Sequence, residues 1–352
     1  MSDPGPPPDR GGAGGPPLLA LTQGDPAGIG PELMLKLLAA SGGDAARFVL
    51  VAERAALEAV RDVVPPTVWA RLDFGGAAAD RQALLARHPR VPVLDPTGRR
   101  DPVAPGRSAA DEARGALAAL ERGAELALGG VADALVTLPV SKASIATHVD
   151  PGFRGHTDWL AARAGLERYG RDYLMCFLAP DFRVALLTVH LPLRQALDRI
   201  TEEALVDALG CLHRHAPGRI AVAGINPHAG EGGLLGDDDE RIVRPAVERA
   251  RGLGIDARGP ESPDSVFGRA RAGLADWVLA LYHDQGLIAI KTAAWGRATN
   301  WTLGLPYLRT SVDHGTAFDI AGQGQADVSS LRAVVAETLR LLEQGERGGV
   351  GG

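Results

Sequence analysis

Short, nearly continuous apolar runs alternate along this chain with longer stretches in which apolar residues recur at helical spacing. The runs PLLALT, RFVLVA, DALVTL, DYLMCFL, RVALLTV, RIAVAGI, ADWVLALY and LIAIK predict strands. Between them the spacing predicts helices over about 31–40, 53–63, 109–128, 240–251 and 329–344, with others starting near Thr157 and Thr201. Runs that are apolar on both faces suit strands covered by helices on each side. The alternation therefore predicts an α/β fold with a largely parallel sheet. No internal repeat is visible.

Length and composition add an organisation. With 352 residues, 45% of them hydrophobic, the chain can build a large core. A chain of that size predicts two α/β/α domains with a cleft between them. The first is expected over 17–145 plus about 290–346, and the second over about 146–289. Residues 1–16 and 347–352 are rich in Pro and Gly and are expected to be disordered extensions. No apolar run reaches the roughly 18 residues of a membrane span, and MSDPGPPPDRGGAGGPP lacks the apolar core of a secretory signal. A cytoplasmic protein with no membrane partner is the expectation. The net charge of −6 and the lack of a long basic stretch argue against nucleic acid. Cys176 and Cys211 make no disulfide framework and are expected to pack as small apolar residues.

Charge usage changes the picture more. Only three of the 37 basic residues are lysines: Lys36, Lys142 and Lys291. Where Arg is the default cation, a retained Lys can mark a place that needs a compact ammonium. Chance explains Lys36 equally well, whereas Lys142 and Lys291 lie inside distinctive motifs.

The candidate chemistry gathers at strand ends. His190 in LTVHLPLR, His228 in GINPHAGEGG and His283 in LYHDQGL each follow an apolar run. Three neutral imidazoles with positions left open are the donor set of a catalytic metal rather than a closed structural site, and Lewis-acid chemistry follows. GHTD offers His156 and Thr157 to a carboxylate or phosphate, although Thr157 equally reads as an N-cap. Lys291, Asn300 and Arg309 can together neutralise and orient a phosphate. If LIAIK is a strand, His283 and Lys291 at its two ends can face one cleft. LTQGDPAGIGPE reads either as an anion-holding helix start or as a plain turn between strand and helix. The acidic run Asp237 to Glu240 reads as a solvated helix start. His88, His148, His213 and His215 read as structural or solvent-facing. No strand-linked GxGxxG is present, so any dinucleotide binds outside a Rossmann fingerprint.

Taken in order, LTQGDPAGIGPE, GHTD, LTVHLPLR, NPHAGEGG, YHDQG and NWTLGLPYLRTSVDHGTA closely resemble the 4-hydroxythreonine-4-phosphate dehydrogenase family of vitamin B6 biosynthesis, over roughly residues 17–345. DHGTAFDIAG also resembles the cofactor loop of isocitrate and isopropylmalate dehydrogenases, whose fold the family shares. The resemblance implies a divalent metal (Zn, Co or Mg) on His190, His228 and His283. It implies substrate contacts from His156, Thr157, Lys291, Asn300 and Arg309, NAD or NADP near Asp313, His314 and Gly315, and a homodimer with shared active sites. The implied reaction oxidises 4-phosphohydroxy-L-threonine to a 3-keto acid that loses carbon dioxide to give 3-amino-2-oxopropyl phosphate. Lys142, Asp284 or a hydroxide at the metal would accept the proton. Subfamilies with the same motifs act on 4-phospho-D-threonate or 4-phospho-D-erythronate. A phosphate acyltransferase shares the fold but needs neither the histidines nor a nicotinamide. A non-catalytic metal or ligand sensor is the remaining reading.

Overall fold

The computed structural model describes residues 15–40, 45–75 and 80–345. The expected tail at 347–352 and all but the end of the expected extension at 1–16 lie outside the described residues. The protein is a mixed α/β fold that divides into two compact units, Met1–Leu160 with Pro306–Val350, and Ala161–Leu305.

In the first unit β1 (Leu18–Thr22), β2 (Arg47–Val51), β3 (Leu72–Asp73), β4 (Val91–Leu94) and β5 (Ala134–Thr137) pair in parallel. In the second, β6 (Leu174–Leu178) and β7 (Arg183–Leu186) form an antiparallel pair, and β8 (Ile220–Ala223), β9 (Ala257–Glu261) and β10 (Trp277–Ala280) are parallel to β7. β11 (Thr299–Leu303) adds antiparallel to β6. The chain then returns to the first unit as β12 (Leu308–Val312), parallel to β5. Strand order is β3-β4-β2-β1-β5-β12 in the first unit and β11-β6-β7-β10-β8-β9 in the second.

The division falls later than expected at both crossings, for reasons visible in the packing. The helix Lys142–His148 packs on the long helix Ala110–Leu128 and stays with the first unit. Pairing of β11 with β6 keeps the chain in the second unit through Leu305. Every residue of β1, β4, β5 and β12 is buried, as strands covered on both faces require. The long helix lies close against this sheet at Gly123, where a Cβ would stand 2.4 Å from Thr22 Cγ2.

One predicted strand is a helix. LIAIK lies inside the helix His283–Ala294. Leu287, Ile290 and Ala294 are buried on one face, while Ile288 is 67% exposed. The run is too uniformly apolar for its composition to show that period. Lys291 therefore lies about 12 Å along the helix axis from His283 rather than at the far end of a strand. Both cysteines are buried, and burial pushes their thiols up, Cys211 to about 12. They pack as apolar residues and stay protonated. Among the described residues no helix is long and apolar enough to cross a membrane.

Candidate active site

The second unit carries the three histidines of the metal motifs. β7, β10 and β8 are adjacent and parallel, so the segments that follow them leave the sheet at the same edge. That edge, beyond the carboxyl ends of parallel strands, is where α/β sheets place ligands. His190 follows β7 and His283 opens the helix after β10. Their ring centroids are 5.4 Å apart with planes inclined at 41°. His283 Nδ1 is 2.8 Å from Asp284 Oδ1, which leaves Nε2 for another partner.

His228 follows β8 in an unusual backbone. His228, Ala229, Gly230, Glu231 and Gly232 have φ of 52°, 52°, 79°, 44° and 68°, a continuous left-handed turn. His190 also has a positive φ, 48°. Each L-residue in this conformation costs about 1–2 kcal/mol, so surrounding bonds must hold it. Asp239 supplies two of them. Its fully buried carboxylate accepts hydrogen bonds from the backbone N–H of Ile225 (2.7 Å) and Asn226 (2.9 Å). Gln285 supplies two more: its Oε1 accepts from Leu281 N at 2.7 Å and its Nε2 donates to Gly224 O at 2.8 Å. It thus ties the His283 segment to the start of the His228 loop.

Asp239 corrects the expectation of a solvated acidic run, because the one member that turns inward carries the loop. Neither Asp239 nor Gln285 was singled out from sequence. Gln285 sits in YHDQG beside His283, and that adjacency was the available signal.

Among the described residues no group of three or more His, Cys, Asp or Glu side chains is gathered as a metal site. The structure brings His190 and His283 together and leaves His228 on the neighbouring loop, with Nδ1 3.5 Å from Ser262 Oγ. The donors fit a divalent cation in kind. They are imidazoles on one sheet edge, and one is oriented by a carboxylate as metal-binding histidines commonly are.

In the first unit the structure brings His156 and Thr157 together with Arg309 and Lys142. Arg309 on β12 is 2% exposed and donates from Nη2 to Thr137 Oγ1 on β5 at 2.6 Å. Burial lowers its pKa to about 10, so it remains a cation at neutral pH. A guanidinium this deep costs several kcal/mol unless an anion meets it. His156 opens the helix His156–Arg163. Burial first, then the charges of Arg309 and Lys142, hold its pKa well below the usual 6.5, so the ring is neutral. Its Nε2 is enclosed and meets no partner among the described residues. The adjacent Thr157 is buried. Gly155, at φ 147°, leaves room for Lys142: a Cβ there would stand 3.2 Å from Lys142 Cε and 3.6 Å from Nζ. Two cations, an unpartnered imidazole nitrogen and a helix start suit a phosphate or carboxylate. Of the expected phosphate group, Lys291 lies in the last turn of its helix and Asn300 on β11, both in the second unit.

Asp313, His314 and Gly315 follow β12 directly. His314 is fixed through both ring nitrogens, Nδ1 3.1 Å from Gly315 O and Nε2 3.0 Å from Ser330 Oγ. A Cβ on Gly315 would meet nothing within 4 Å, so this turn is open to a ligand. LTQGDPAGIGPE takes the plainer of its two readings. Ile29 N donates to Thr316 O at 3.0 Å, and a Cβ on Gly30 would stand 1.9 Å from Gln23 O. The helix start is covered by the chain itself and buttresses the 313–316 turn.

This arrangement has known counterparts. Residues 44–337 match the family model described as pyridoxal phosphate biosynthetic protein PdxA. A 4-hydroxythreonine-4-phosphate dehydrogenase from Chromobacterium violaceum is 41% identical, over 93% of this chain and 96% of its own length. A Salmonella typhi protein provisionally named D-threonate 4-phosphate dehydrogenase is 37% identical, over 92% of this chain and 98% of its own. The crystal structure of 4-hydroxythreonine-4-phosphate dehydrogenase from Klebsiella pneumoniae matches with a TM-score of 0.77 and 34% identity, covering 92% of this chain and 99% of that one. These relatives are dehydrogenases, which implies a nicotinamide cofactor. With the match spanning most of its length, the chain belongs to the PdxA family of pyridoxal phosphate biosynthetic proteins.

Proposed function

We propose that the protein oxidises 4-hydroxythreonine 4-phosphate at its secondary alcohol, using NAD or NADP and a divalent cation. The carbon gives up a hydride and the hydroxyl a proton, leaving a ketone β to the carboxylate. That acid loses carbon dioxide to give 3-amino-2-oxopropyl phosphate. The observation that carries the reading is the cluster of buried Arg309, His156 and exposed Lys142, whose imidazole nitrogen meets no partner among the described residues and so asks for an anionic group on the substrate.

Arg309 and His156 grip the phosphate, with Thr157 beside them and Thr137 holding the guanidinium in place. Lys291 and Asn300 are further candidates for substrate contact. His190, His228 and His283 would hold the cation, which supplies Lewis-acid lowering of the alcohol's pKa. Asp313, His314 and Gly315 would receive the nicotinamide nucleotide, which supplies the hydride acceptor. Of the two proton-accepting side chains, Asp284 is engaged with His283 Nδ1 and serves to orient that ring. Lys142 is the remaining side-chain candidate, and it would accept the proton only in its uncharged form rather than as the cation counted beside Arg309. We also infer a homodimer. Leu191, Leu193 and Leu197 just after His190, and Leu234 and Leu235 just after the His228 turn, are exposed apolar side chains that a second copy would cover. Sedimentation at equilibrium distinguishes one chain from two.

The similarity to the Salmonella typhi protein supports a second reading, in which the substrate is D-threonate 4-phosphate. The test is formation of reduced nicotinamide from each substrate, with either dinucleotide, before and after chelation and with zinc, cobalt or magnesium restored. Cation-dependent turnover preferring the amino substrate supports the first reading. Preference for the hydroxy acid supports the second. Turnover that survives chelation removes the cation from the proposal.

A further inference from the structure

Lys36, the one lysine the motifs did not absorb, lies on the helix Gly30–Ala40 one turn after Glu32. Its ammonium has three N–H donors and meets three acceptors: Glu32 Oε1 at 2.8 Å, Gly324 O at 2.7 Å and Ala326 O at 2.7 Å. Glu32 is fully buried and takes hold of the same two residues from their other side. Its carboxylate accepts from Ala326 N at 2.9 Å and Gly324 N at 3.2 Å. The pair therefore grips the backbone of Gly324 and Ala326 through both amide and carbonyl groups. A planar guanidinium does not reproduce this tetrahedral set, which accounts for a lysine in a chain that otherwise uses arginine.

The gripped residues end the long loop that begins at Asp313. The loop is tied at two earlier points as well, through Thr316 O to Ile29 N and through Phe318 packed on Ala27, Ala55, Ala56 and Val103. Asp313–Gly315 remain as its open mouth.

We propose that Glu32 and Lys36 are positioning residues for the nicotinamide nucleotide: they fix the far limb of the loop and so set nucleotide affinity without touching the phosphorylated substrate. The inference rests on the reading of Asp313–Gly315 as cofactor contacts. The test is fluorescence titration of the intact protein with NADH and NADPH, alongside KM values for nucleotide and substrate. Lys36→Met and Lys36→Arg are compared with His314→Ala. Lys36→Met is expected to weaken nucleotide binding by about tenfold, with substrate KM held within about twofold. Lys36→Arg keeps the ion pair with Glu32 and is expected to fold normally yet restore little of the lost affinity. A purely structural role would lower the melting temperature and leave the nucleotide Kd of the folded variant unchanged. Nucleotide affinity within about twofold of wild type in both lysine variants overturns the inference, provided His314→Ala weakens it. If His314→Ala also leaves affinity unchanged, the cofactor reading itself falls and the clamp's role with it.

Discussion

In the first unit the guanidinium is sunk into the sheet. Arg309 is 2% exposed on a fully buried strand, and His156 presents an enclosed nitrogen. In the second unit His190 and His228 are exposed and His283 is half-buried on segments beyond the strand ends, and the backbone at His190 and His228 is left-handed. On the proposed reading the two clusters answer different chemical demands. A phosphate needs a fixed, dry cation, and burial strengthens the attraction at the cost of desolvating the guanidinium. A cation site needs nitrogens that stay open to the ligand, so orientation is stored in backbone conformation and in buttresses such as Asp239 and Gln285. One cluster is prepared by burial, the other by conformation.

The contrast breaks most sharply at Arg309. Arg309→Met removes the cation but keeps an unbranched chain of similar length. It should lower kcat/KM by roughly a thousandfold, about 4 kcal/mol of transition-state binding. Stability should hold or rise, because apolar replacement of a buried charge is often neutral to stabilising. Steady-state kinetics and thermal melts on one preparation read both numbers. Retained activity would show that burial there serves the fold and not the phosphate.

His156 sharpens the comparison through pH. Its pKa is depressed in the folded state, so the folded protein keeps the ring neutral while the unfolded chain takes up a proton below about pH 6.5. The stability this group contributes is therefore present above about 6.5 and is lost as pH falls toward the folded value, by up to about 1.4 kcal/mol per pH unit. His156→Asn should flatten that part of the profile in denaturant titrations at about pH 5 and about pH 8. Inorganic phosphate, which favours the protonated ring, should reduce the acid sensitivity of the wild-type protein. Parallel profiles for wild type and variant would mean that the ring titrates as it does in water.

Much of this was legible in the chain because motif and element coincide: each metal-motif histidine stands a few residues after an apolar run, where a parallel sheet places its ligands. Arg309 stood out as a candidate through its neighbours, but its burial was not legible. NWTLGLPYLRTSV carries too many polar residues to read as two strands, yet β11 and β12 run through it. LIAIK failed in the opposite way, being apolar enough to hide a helical period. Asp239 and Lys36 were illegible for a common reason. Each is a charged side chain satisfied by backbone groups remote from it or exposed by a turn. Sequence spacing records neither which acid of DDDE points inward nor that Gly324 returns to the helix of Lys36. The left-handed run is partly legible, since Gly230 and Gly232 allow it, but His228, Ala229 and Glu231 give no sign that they share it.

Glu231 offers the finest test of conformation against burial. Its side chain is exposed and its φ is 44°, so Glu231→Gly gives up little packing while relieving a conformation that costs an L-residue about 1–2 kcal/mol. Glycine also gains freedom in the unfolded chain, worth about 0.5–1 kcal/mol in the opposite direction. A small net stabilisation, about 0.5 kcal/mol, is the expected result in denaturant melts. Activity should move the other way, by a few-fold, because a freer turn holds His228 less firmly against the pull of Asp239 and Gln285 on either side of it. A variant that is both less stable and fully active would show that the left-handed turn is no reservoir of strain and that His228 does not depend on it. The histidine loops would then be held by their hydrogen bonds alone, and the difference between the two units would reduce to depth of burial.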